Sequence, residues 1–581
     1  MSGIGLFNYH DLAQDTEYSY YRKDRELDEV EQKDSFGGFH TPLEVDNKIK
    51  AFASVIFKKS FFESLAFVIL AIPLGLILSV KALYCSVSGS SKSIRLFNSV
   101  FIGTFSSPEK VRKFAVCGDS QSLVCKDTKE SFEWKKRLIQ AAKSNIVLSG
   151  NYCGGDSFNE ILDLMEPKLK QGVKIVILSS SRFLTEKNRE RIQILEETYP
   201  DLFSLVPTDD VWTVSPNLKK VTNHAKGLSI DNGAYFLTGG SGLEDKYAYR
   251  KGVGDGEEGQ HAGNSGGWLK QILPKNFRDM DFVFKSCLPL NEEGAVEVGV
   301  GGHFHYELLK LANLWTSSYN RNVENQEVKT QNVKQCLEEY EANPQQGDVL
   351  IEDFDSSQRT NEKCFTQIFA TGPEHESSPF LESMIARINA AQERIFINHM
   401  YFHPGSKLSE ALVNAANRGV KITIITNDNQ EFSPGSHAFF GNRNKYHYQK
   451  LFESTLEEYQ ENIRVFAYGQ KYKNSPRKTT LHGKAMVVDN YVIAGSGNMG
   501  YKSLETMSDH ELNFITESEE MANAAVEAFE ENIYSTRIVE DEENGHQEVP
   551  LSREIVNPGE KLSFKERMFT HLHQALAPII G

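Results

Sequence analysis

The sequence is poor in cysteine, and its cysteines show no regular spacing. Its 581 residues include 7 Cys, and because none of them forms a C-x-x-C pair, neither a zinc ribbon nor a complete disulfide framework is predicted. The chain also lacks an excess of basic residues, since Lys+Arg 63 against Asp+Glu 79 gives a formal net charge of −16. This balance argues against a protein that binds nucleic acid non-specifically through a basic surface.

No apolar run begins early enough in this sequence to be read as a secretory signal peptide, which occupies about the first 30 residues. An uncharged run does occur later, from Ser64 to Val80, with the sequence SLAFVILAIPLGLILSV. Extended to Val87 as a helix, it could cross a hydrocarbon core of about 30 Å. We therefore expect a polar tail over 1–55 and a membrane-associated segment over 56–106, either a span or a hairpin kinked at Pro73. A buried core helix is the alternative, and the compartment stays open.

The chain then contains two similar segments, Trp134–Ser179 and Phe380–Thr426. In each, an amphipathic helix leads to a short apolar run, Ile146–Leu148 or Ile395–Ile397, and then to a second helix, the sequence GVKI and another apolar strand. Such alternation predicts an α/β fold with buried sheets. We expect one lobe over 107–319, a polar connector over 320–364, a second lobe over 365–539 and a polar tail over 540–581.

Each lobe carries the pattern His-x-Lys-x4-Asp. If it lies on a strand, the His and the Lys point to the same side and into one cleft. Two Lys ammonium groups could hold a phosphate and offset the charge of a pentacoordinate phosphorus. One His could attack phosphorus while the other protonates the leaving alkoxide. This chemistry requires no metal or cofactor. The candidate catalytic residues are His224, Lys226, Asp231, His482, Lys484 and Asp489.

These residues resemble the paired HKD motifs of the phospholipase D superfamily, over roughly residues 125–540. The second copy continues as GSGNMGYKS, Gly495–Ser503, and then as DHELNF, in which Glu511 matches the acid that orients a catalytic His. The first copy continues as GGSGLEDKY, Gly239–Tyr247, and then as FRDMDFVF, in which Asp279 matches Glu511. This pattern is similar to the cardiolipin synthase branch. The supporting residues are Gly239, Asp279, Gly495, Ser496, Asn498 and Glu511.

The resemblance implies two α/β sandwich lobes related by a pseudo-twofold axis. It implies that His224 is the nucleophile and His482 the acid, although the symmetric sequence does not assign them, and that Asp231 and Asp489 have supporting roles. The first copy departs from the family at Gly240 and Gly242, where Ser and Asn are usual, so one half lacks a polar contact. We also expect Tyr152, His399 and Tyr401 to line the substrate site, with core packing as the alternative.

The predicted function is that of a membrane-associated enzyme acting on glycerophospholipids through a phosphohistidine intermediate. Transfer to a lipid hydroxyl would give a cardiolipin-like product, and transfer to water would give phosphatidic acid. The partners are then a phospholipid and a membrane, and no nucleic acid is expected. One alternative is a nuclease or phosphodiesterase acting on nucleic acid, since two-His chemistry serves any phosphodiester. The other is a non-catalytic module that binds a membrane or a partner.

Overall fold

The structure of the protein is a computed structural model. It describes residues 116–581, except 214–218, 249–275, 288–297, 320–325, 345–346, 348, 356–362, 376, 428–435, 469–478, 542–544, 564–565, 567–569 and 571–581. The predicted N-terminal tail and the apolar segment over 56–106 lie outside the described residues. Of the helices within the described ranges, none is both long and apolar enough to cross a membrane.

The first half of the chain alternates helices and strands. Its strands are β1 (Val116–Cys125), β2 (Asn145–Ser149), β3 (Lys174–Ser179), β4 (Phe203–Pro207), β5 (Val211–Thr213), β6 (Lys219–Asn223), β7 (Gly227–Ile230), β8 (Tyr235–Gly239), β9 (Asn276–Arg278) and β10 (Asp281–Ser286). Its helices are α1 (Thr128–Ala141), α2 (Gly155–Lys170), α3 (Glu186–Thr198), α4 (Asp245–Ala248) and α5 (Val300–Leu314). The predicted connector contains α6 (Gln326–Ala342) and α7 (Glu352–Asp355).

The second half has the same alternation. Its strands are β11 (Cys364–Thr371), β12 (Arg394–His399), β13 (Lys421–Thr426), β14 (Ile463–Tyr468), β15 (Thr479–Leu481), β16 (Lys484–Val488), β17 (Tyr491–Gly495), β18 (Asp509–Glu517), β19 (Thr536–Asp541), β20 (Gly545–Pro550) and β21 (Ser552–Glu554). Its helices are α8 (Pro379–Ala390), α9 (Ser406–Asn417), α10 (Ser436–Ser454) and α11 (Glu519–Tyr534).

Local sequence explains where several helices begin. Asp127 caps α1, since its side chain accepts a hydrogen bond from the backbone N–H of Glu130. Ser378 caps α8 in the same way, and Pro379 follows in the first turn, where its missing N–H would have no helical partner. The strands between these helices are apolar and buried. This arrangement confirms the predicted α/β fold and the predicted strands inside β2 and β12.

Both halves contribute to one continuous sheet. In the first half the pairings run β4-β3-β2-β7-β8-β10-β1. In the second half they run β11-β18-β17-β16-β12-β13-β14. The two series meet where β1 pairs with β11 in antiparallel register, with Ser120 opposite Cys364. Counted outward from the β1–β11 pair, the strands of the two halves therefore follow corresponding orders. We call this central pair the seam.

The hydrophobic core crosses this seam. One buried cluster takes residues from both halves, among them Phe282, Phe284, Ile368 and Phe514. The ring of Phe514 packs edge-on against Phe282 and Phe284, with centroids 4.9 and 5.0 Å apart. Two further clusters lie within the first half and within the second half. The packing thus makes the two halves one body.

The predicted C-terminal boundary at residue 539 is too early. The acidic run Glu540–Glu543 suggested a solvated tail, but β20 returns along β19, and β21 pairs with β14 of the sheet. Val549 is buried and Leu551 packs against the core shared by the two halves. Apolar side chains after the acidic run explain why residues 545–554 join the folded body.

Candidate active site

Each candidate His lies where the chain crosses from one strand ladder to another. Before His224, β6 pairs with β18 of the other half, and after it β7 pairs with β2 and β8 of its own half. Before His482, β15 pairs with β9 of the other half, and after it β16 joins its own sheet. The prediction of one continuous His-x-Lys strand was therefore wrong. The strand is interrupted at each His because the strand before it pairs with the other half and the strand after it pairs with its own half.

Backbone hydrogen bonds fix these crossings at the His residues themselves. The His224 N–H donates to the carbonyl of His510 at 3.0 Å, and the His482 N–H donates to the carbonyl of Arg278 at 2.7 Å. Each bond links a His of one half to the backbone of the other. The crossings therefore bring both His-Lys pairs to the contact between the halves.

The His224 imidazole is held by a carboxylate from the second half. Its Nδ1 lies 2.9 and 3.1 Å from the two carboxylate oxygens of Glu511. Two hydroxyls donate to the same carboxylate, Ser496 at 2.6 Å and Ser503 at 2.8 Å. Burial opposes ionisation here, yet His224, Lys226 and the hydrogen bond from Ser496 lower the pKa of Glu511 to about 2. This carboxylate is therefore ionised at neutral pH.

The His482 imidazole is held by a carboxylate from the first half. Its Nδ1 lies 2.5 Å from Oδ2 of Asp279 and 2.9 Å from Nζ of Lys484. Burial raises the pKa of Asp279 to about 7. Burial, together with the charge of Lys484, lowers the pKa of His482 well below its usual value. These shifts favour a neutral carboxyl at Asp279 and a neutral imidazole at His482, whereas the carboxylate of Glu511 is ionised.

The two Lys side chains fold back toward the preceding His residues. Lys226 Nζ donates to the His224 carbonyl at 3.0 Å, and Lys484 Nζ donates to the His482 carbonyl at 2.8 Å. Burial and the nearby charge of Lys484 lower the pKa of Lys226 to about 7, and burial lowers that of Lys484 to about 8. The charge of Lys484 thus disfavours a second ammonium group at Lys226, and a bound anion would offset this repulsion.

The two Asp residues of the repeated pattern lie away from the His and Lys side chains. Asp231 accepts hydrogen bonds from the backbone N–H groups of Lys143, Ser144 and Asn145, at the start of β2. Asp489 accepts them from Gln392, Glu393 and Arg394, at the start of β12. Both have a left-handed backbone, with φ of 51° and 50°. They tie the turn after each His-Lys element to a neighbouring strand.

The glycines at the ends of β8 and β17 are required by close packing. Gly239 has φ 157° and Gly495 has φ 145°. A Cβ at Gly239 would lie 2.6 Å from the Met280 carbonyl oxygen, and one at Gly495 would lie 2.5 Å from the Leu512 carbonyl oxygen. Glycine at Gly495 thus lets the turn approach β18, which carries Glu511, and glycine at Gly239 lets the turn approach the start of β10, just after Asp279.

The two departures from the family pattern also have a geometric basis. A Cβ at Gly240 would collide with the Asp279 carboxylate, whereas Ser496 at the equivalent position donates to Glu511. A Cβ at Gly242 would lie 2.8 Å from the Tyr152 carbonyl and 2.9 Å from the Tyr247 ring. In this half, Asp279 therefore fills the space of the Ser that the family has at 240. Tyr152 and Tyr247 fill the space of the Asn that it has at 242.

A cavity of about 160 Å³ opens beside His224. It is lined by residues of both halves, including the predicted Tyr152 and Tyr401 and the supporting residue Asn498. His399 is not one of the lining residues; it is buried on β12 opposite Lys484, and burial and the Lys484 charge lower its pKa to about 3. The structure thus brings two of the three expected lining residues to the cavity.

Sequence reasoning did not single out several polar groups around this cavity. Asp210 forms ion pairs with Arg182 at 2.8 Å and with Lys220 at 2.9 Å. Lys502, from the second half, forms an ion pair with Asp509 at 2.6 Å and lies 3.4 Å from the Thr222 hydroxyl, which donates to Asp210. Lys502 and Ser503 end the GSGNMGYKS motif, so their positions in the motif were the available signal. Asp210 and its partners Arg182 and Lys220 belong to no comparable motif. Within the described ranges, no group of three or more His, Cys, Asp or Glu is arranged to hold a metal ion.

Comparison with known proteins tests the predicted resemblance independently. Residues 384–533 match the family model described as "Cardiolipin synthase, PLD-like domain". This matched range includes His482, Lys484 and Glu511. The resemblance of the chain to the phospholipase D superfamily is thereby confirmed.

Curated relatives include the cardiolipin synthases of Listeria monocytogenes serotype 4a (strain HCC23) and Clostridium perfringens (strain 13 / Type A). The first is 26% identical over 168 residues, or 29% of this chain and 30% of the relative. The second is 28% identical over 164 residues, or 28% of this chain and 30% of the relative. The matches thus span less than a third of these relatives. Among solved structures, phosphatidylserine synthase of Haemophilus influenzae Rd KW20 aligns with a TM-score of 0.47 and 13% identity, covering 78% of this chain and 92% of that one.

Proposed function

We propose that the protein is a phosphodiesterase or phosphatidyltransferase that acts on glycerophospholipids through a phosphohistidine intermediate. One observation carries the proposal: two buried His-Lys pairs meet between the halves, and a carboxylate of the opposite half holds each imidazole. A similar pairing of an imidazole with a carboxylate orients the ring in other nucleophilic enzymes. The matching cardiolipin synthase domain supports a lipid substrate.

In the proposed first step, His224 Nε2 attacks the phosphorus of a phospholipid, because His224 lines the cavity and its Nδ1 faces Glu511. The bond from phosphorus to the headgroup oxygen breaks, and the His482 Nε2–H gives its proton to that oxygen while the protonated Asp279 carboxyl gives its proton to Nδ1. Lys226 and Lys484 hold the non-bridging oxygens. In the second step His482 removes a proton from the acceptor hydroxyl, whose oxygen displaces His224 from phosphorus.

The acceptor determines the product. A hydroxyl of phosphatidylglycerol would give a cardiolipin-like lipid, and water would give phosphatidic acid. Transfer to a lipid hydroxyl is the favoured proposal, because the matched domain is of the cardiolipin synthase type. The apolar segment over 56–106 would then bring the cavity to the membrane surface.

The test is mass spectrometry of lipids after incubation of the purified protein with phosphatidylglycerol, phosphatidylcholine and phosphatidylethanolamine, with single-stranded DNA in parallel. We expect a new phospholipid product that is lost in both His224→Ala and His482→Ala. Unchanged lipids with degraded DNA would instead support a nuclease. No turnover of any substrate would support a binding module, and full turnover in both variants would contradict the proposed chemistry.

A further inference from the structure

The imidazole of His482 lies under two aromatic side chains of the first half. The Tyr247 ring stands edge-on to it at a centroid distance of 5.5 Å, and the Phe277 ring lies at 4.7 Å. Tyr247 is on α4 and is fully buried. The glycine at 242 allows this position, because a Cβ there would lie 2.9 Å from the Tyr247 ring.

The Tyr247 hydroxyl lies 3.5 Å from Nε2 of His482. The other ring nitrogen, Nδ1, already faces Asp279 at 2.5 Å. Nε2 faces no carboxylate, and the Lys484 Nζ lies 3.3 Å from it; we take Nε2 as the nitrogen that exchanges a proton with a substrate. The hydroxyl stands beside the atom at which the proposed proton transfer occurs.

The repeated motif shows that the equivalent hydroxyl makes a different contact in the other half-site, the term used here for one His-Lys pair with the carboxylate that holds its imidazole. Aligning GGSGLEDKY with GSGNMGYKS places Tyr247 at the position of Ser503. Ser503 Oγ donates to the Glu511 carboxylate at 2.8 Å, behind the imidazole of His224. At equivalent positions, one hydroxyl contacts the carboxylate and the other approaches the imidazole. The two half-sites are thus built for different tasks.

We propose that Tyr247 is a further catalytic residue, which donates a hydrogen bond to the headgroup oxygen as that oxygen leaves phosphorus. The inference rests on the proposed function, with His482 as the acid. As the P–O bond breaks, its electron pair stays on the headgroup oxygen, and the proton on His482 Nε2 moves to that oxygen. The Tyr247 O–H stabilises the developing charge and keeps its own proton throughout. In the second step the same hydroxyl contacts the acceptor oxygen.

The surroundings of Tyr247 suit a donor that stays protonated. Burial, with the nearby Asp279 carboxyl, raises the pKa of the Tyr247 hydroxyl well above its usual value. A preorganised donor at an oxygen that gains charge typically contributes about 10²–10³-fold to the rate. The Tyr247 hydroxyl and the His482 imidazole are both buried, and a hydrogen bond made away from water is stronger than one made in water.

The experiment compares wild type and Tyr247→Phe in single-turnover reactions with two phospholipids, phosphatidylglycerol and phosphatidyl-p-nitrophenol, in mixed vesicles. The variant keeps the ring and its packing. We expect about a 10²-fold lower rate with the glycerol leaving group and less than about a threefold change with p-nitrophenol, because a stable anion needs little help from a donor. Thermal unfolding checks that both proteins fold alike.

Ser503→Ala is the matched control from the other half. It removes the hydroxyl behind His224, which attacks phosphorus in both substrates, so we expect similar losses on both. Equal losses for Tyr247→Phe on the two substrates, or no loss on either, would overturn the role of Tyr247 and leave the proposed function standing. A wild-type protein inactive on both lipids would overturn the proposed function and the Tyr247 role with it.

Discussion

At the residue scale, the half-sites differ most at Gly240 and Ser496. The Ser496 hydroxyl donates to Glu511, and the pKa of Glu511 is about 2, whereas Gly240 offers no hydroxyl and the pKa of Asp279 is about 7. The sequence revealed both departures from the family pattern, but it did not show that Asp279 occupies the missing space. Gly240 and Asp279 are about 40 residues apart in the chain, and motif spacing does not predict which distant side chain will contact a given position.

Installing the serine usual for the family should therefore not improve the first half-site. We expect Gly240→Ser to lower lipid turnover and the melting temperature, because its Cβ would collide with the Asp279 carboxylate. Gly240→Ala, which adds only the Cβ, should cause a similar loss. Steady-state kinetics and thermal unfolding measure both effects. Turnover above that of wild type in Gly240→Ser would show that the missing hydroxyl, rather than the space, matters.

The carboxylate that orients His224 should be essential for turnover. Replacing the equivalent carboxylate in a Ser-His-Asp site lowers kcat about 10⁴-fold, and we expect Glu511→Gln to lose at least about 10²-fold for the same reason. Ser496→Ala should lose less, because Ser503 still donates to Glu511. The measurement is kcat for phospholipid turnover. Equal, small losses in both variants would contradict an orienting role.

The two Lys residues predict a pH dependence of anion binding. The pKa values of Lys226 and Lys484 are about 7 and about 8, so both are protonated at low pH and lose their protons as the pH rises. Binding of inorganic phosphate should therefore weaken between about pH 6 and about pH 9. Calorimetric titrations over this range measure it.

Lys484→Met provides the control for that titration. Because the Lys484 charge helps to lower the pKa of Lys226, its removal should shift the remaining pH dependence upward, toward the usual pKa of Lys. Binding that is weaker but has the same midpoint as wild type would show that the two ammonium groups do not interact.

At the element scale, the alternating α/β pattern was predictable because each helix and strand has its own apolar periodicity. The His-x-Lys spacing predicted that the two side chains would act together, but the predicted continuous strand was wrong. The crossing of His224 and His482 between ladders depends on β6 pairing with β18 and β15 pairing with β9. These partners are far away in sequence, and short strands of three to five residues carry little periodicity of their own.

Asp231 and Asp489 stabilise secondary-structure elements, because each accepts hydrogen bonds from backbone N–H groups at the start of a strand. We expect Asp231→Ala to lower the free energy of unfolding by about 1–3 kcal/mol, because it leaves backbone N–H groups at the start of β2 without their acceptor. Asp231→Asn should lose less, since one acceptor oxygen remains. Urea unfolding measures the stability, and specific activity of the folded fraction should change little. A large loss of activity at unchanged stability would place Asp231 in the chemistry.

At the scale of the whole molecule, the sheet and its shared core predict cooperative unfolding. Phe514 packs on Phe282 and Phe284 across the seam, so Phe514→Ala should cost about 3–5 kcal/mol and lower the stability of both halves together. Calorimetry should show one transition for the folded body in wild type and variant. Two separated transitions, with only the later half affected, would contradict this coupling.

The pairing of each imidazole with a carboxylate of the opposite half has a genetic consequence. After a duplication, one copy of a sequence can usually accumulate substitutions while the other copy keeps the function. Here Glu511 of the second half contacts His224 of the first, and Asp279 of the first half contacts His482 of the second. A mutation of the carboxylate in one half therefore changes the surroundings of the His in the other half. We therefore expect a substitution in one half to persist only if it is compatible with the other half. The two halves already differ in this way, since Gly240 accompanies Asp279 and Ser496 accompanies Glu511.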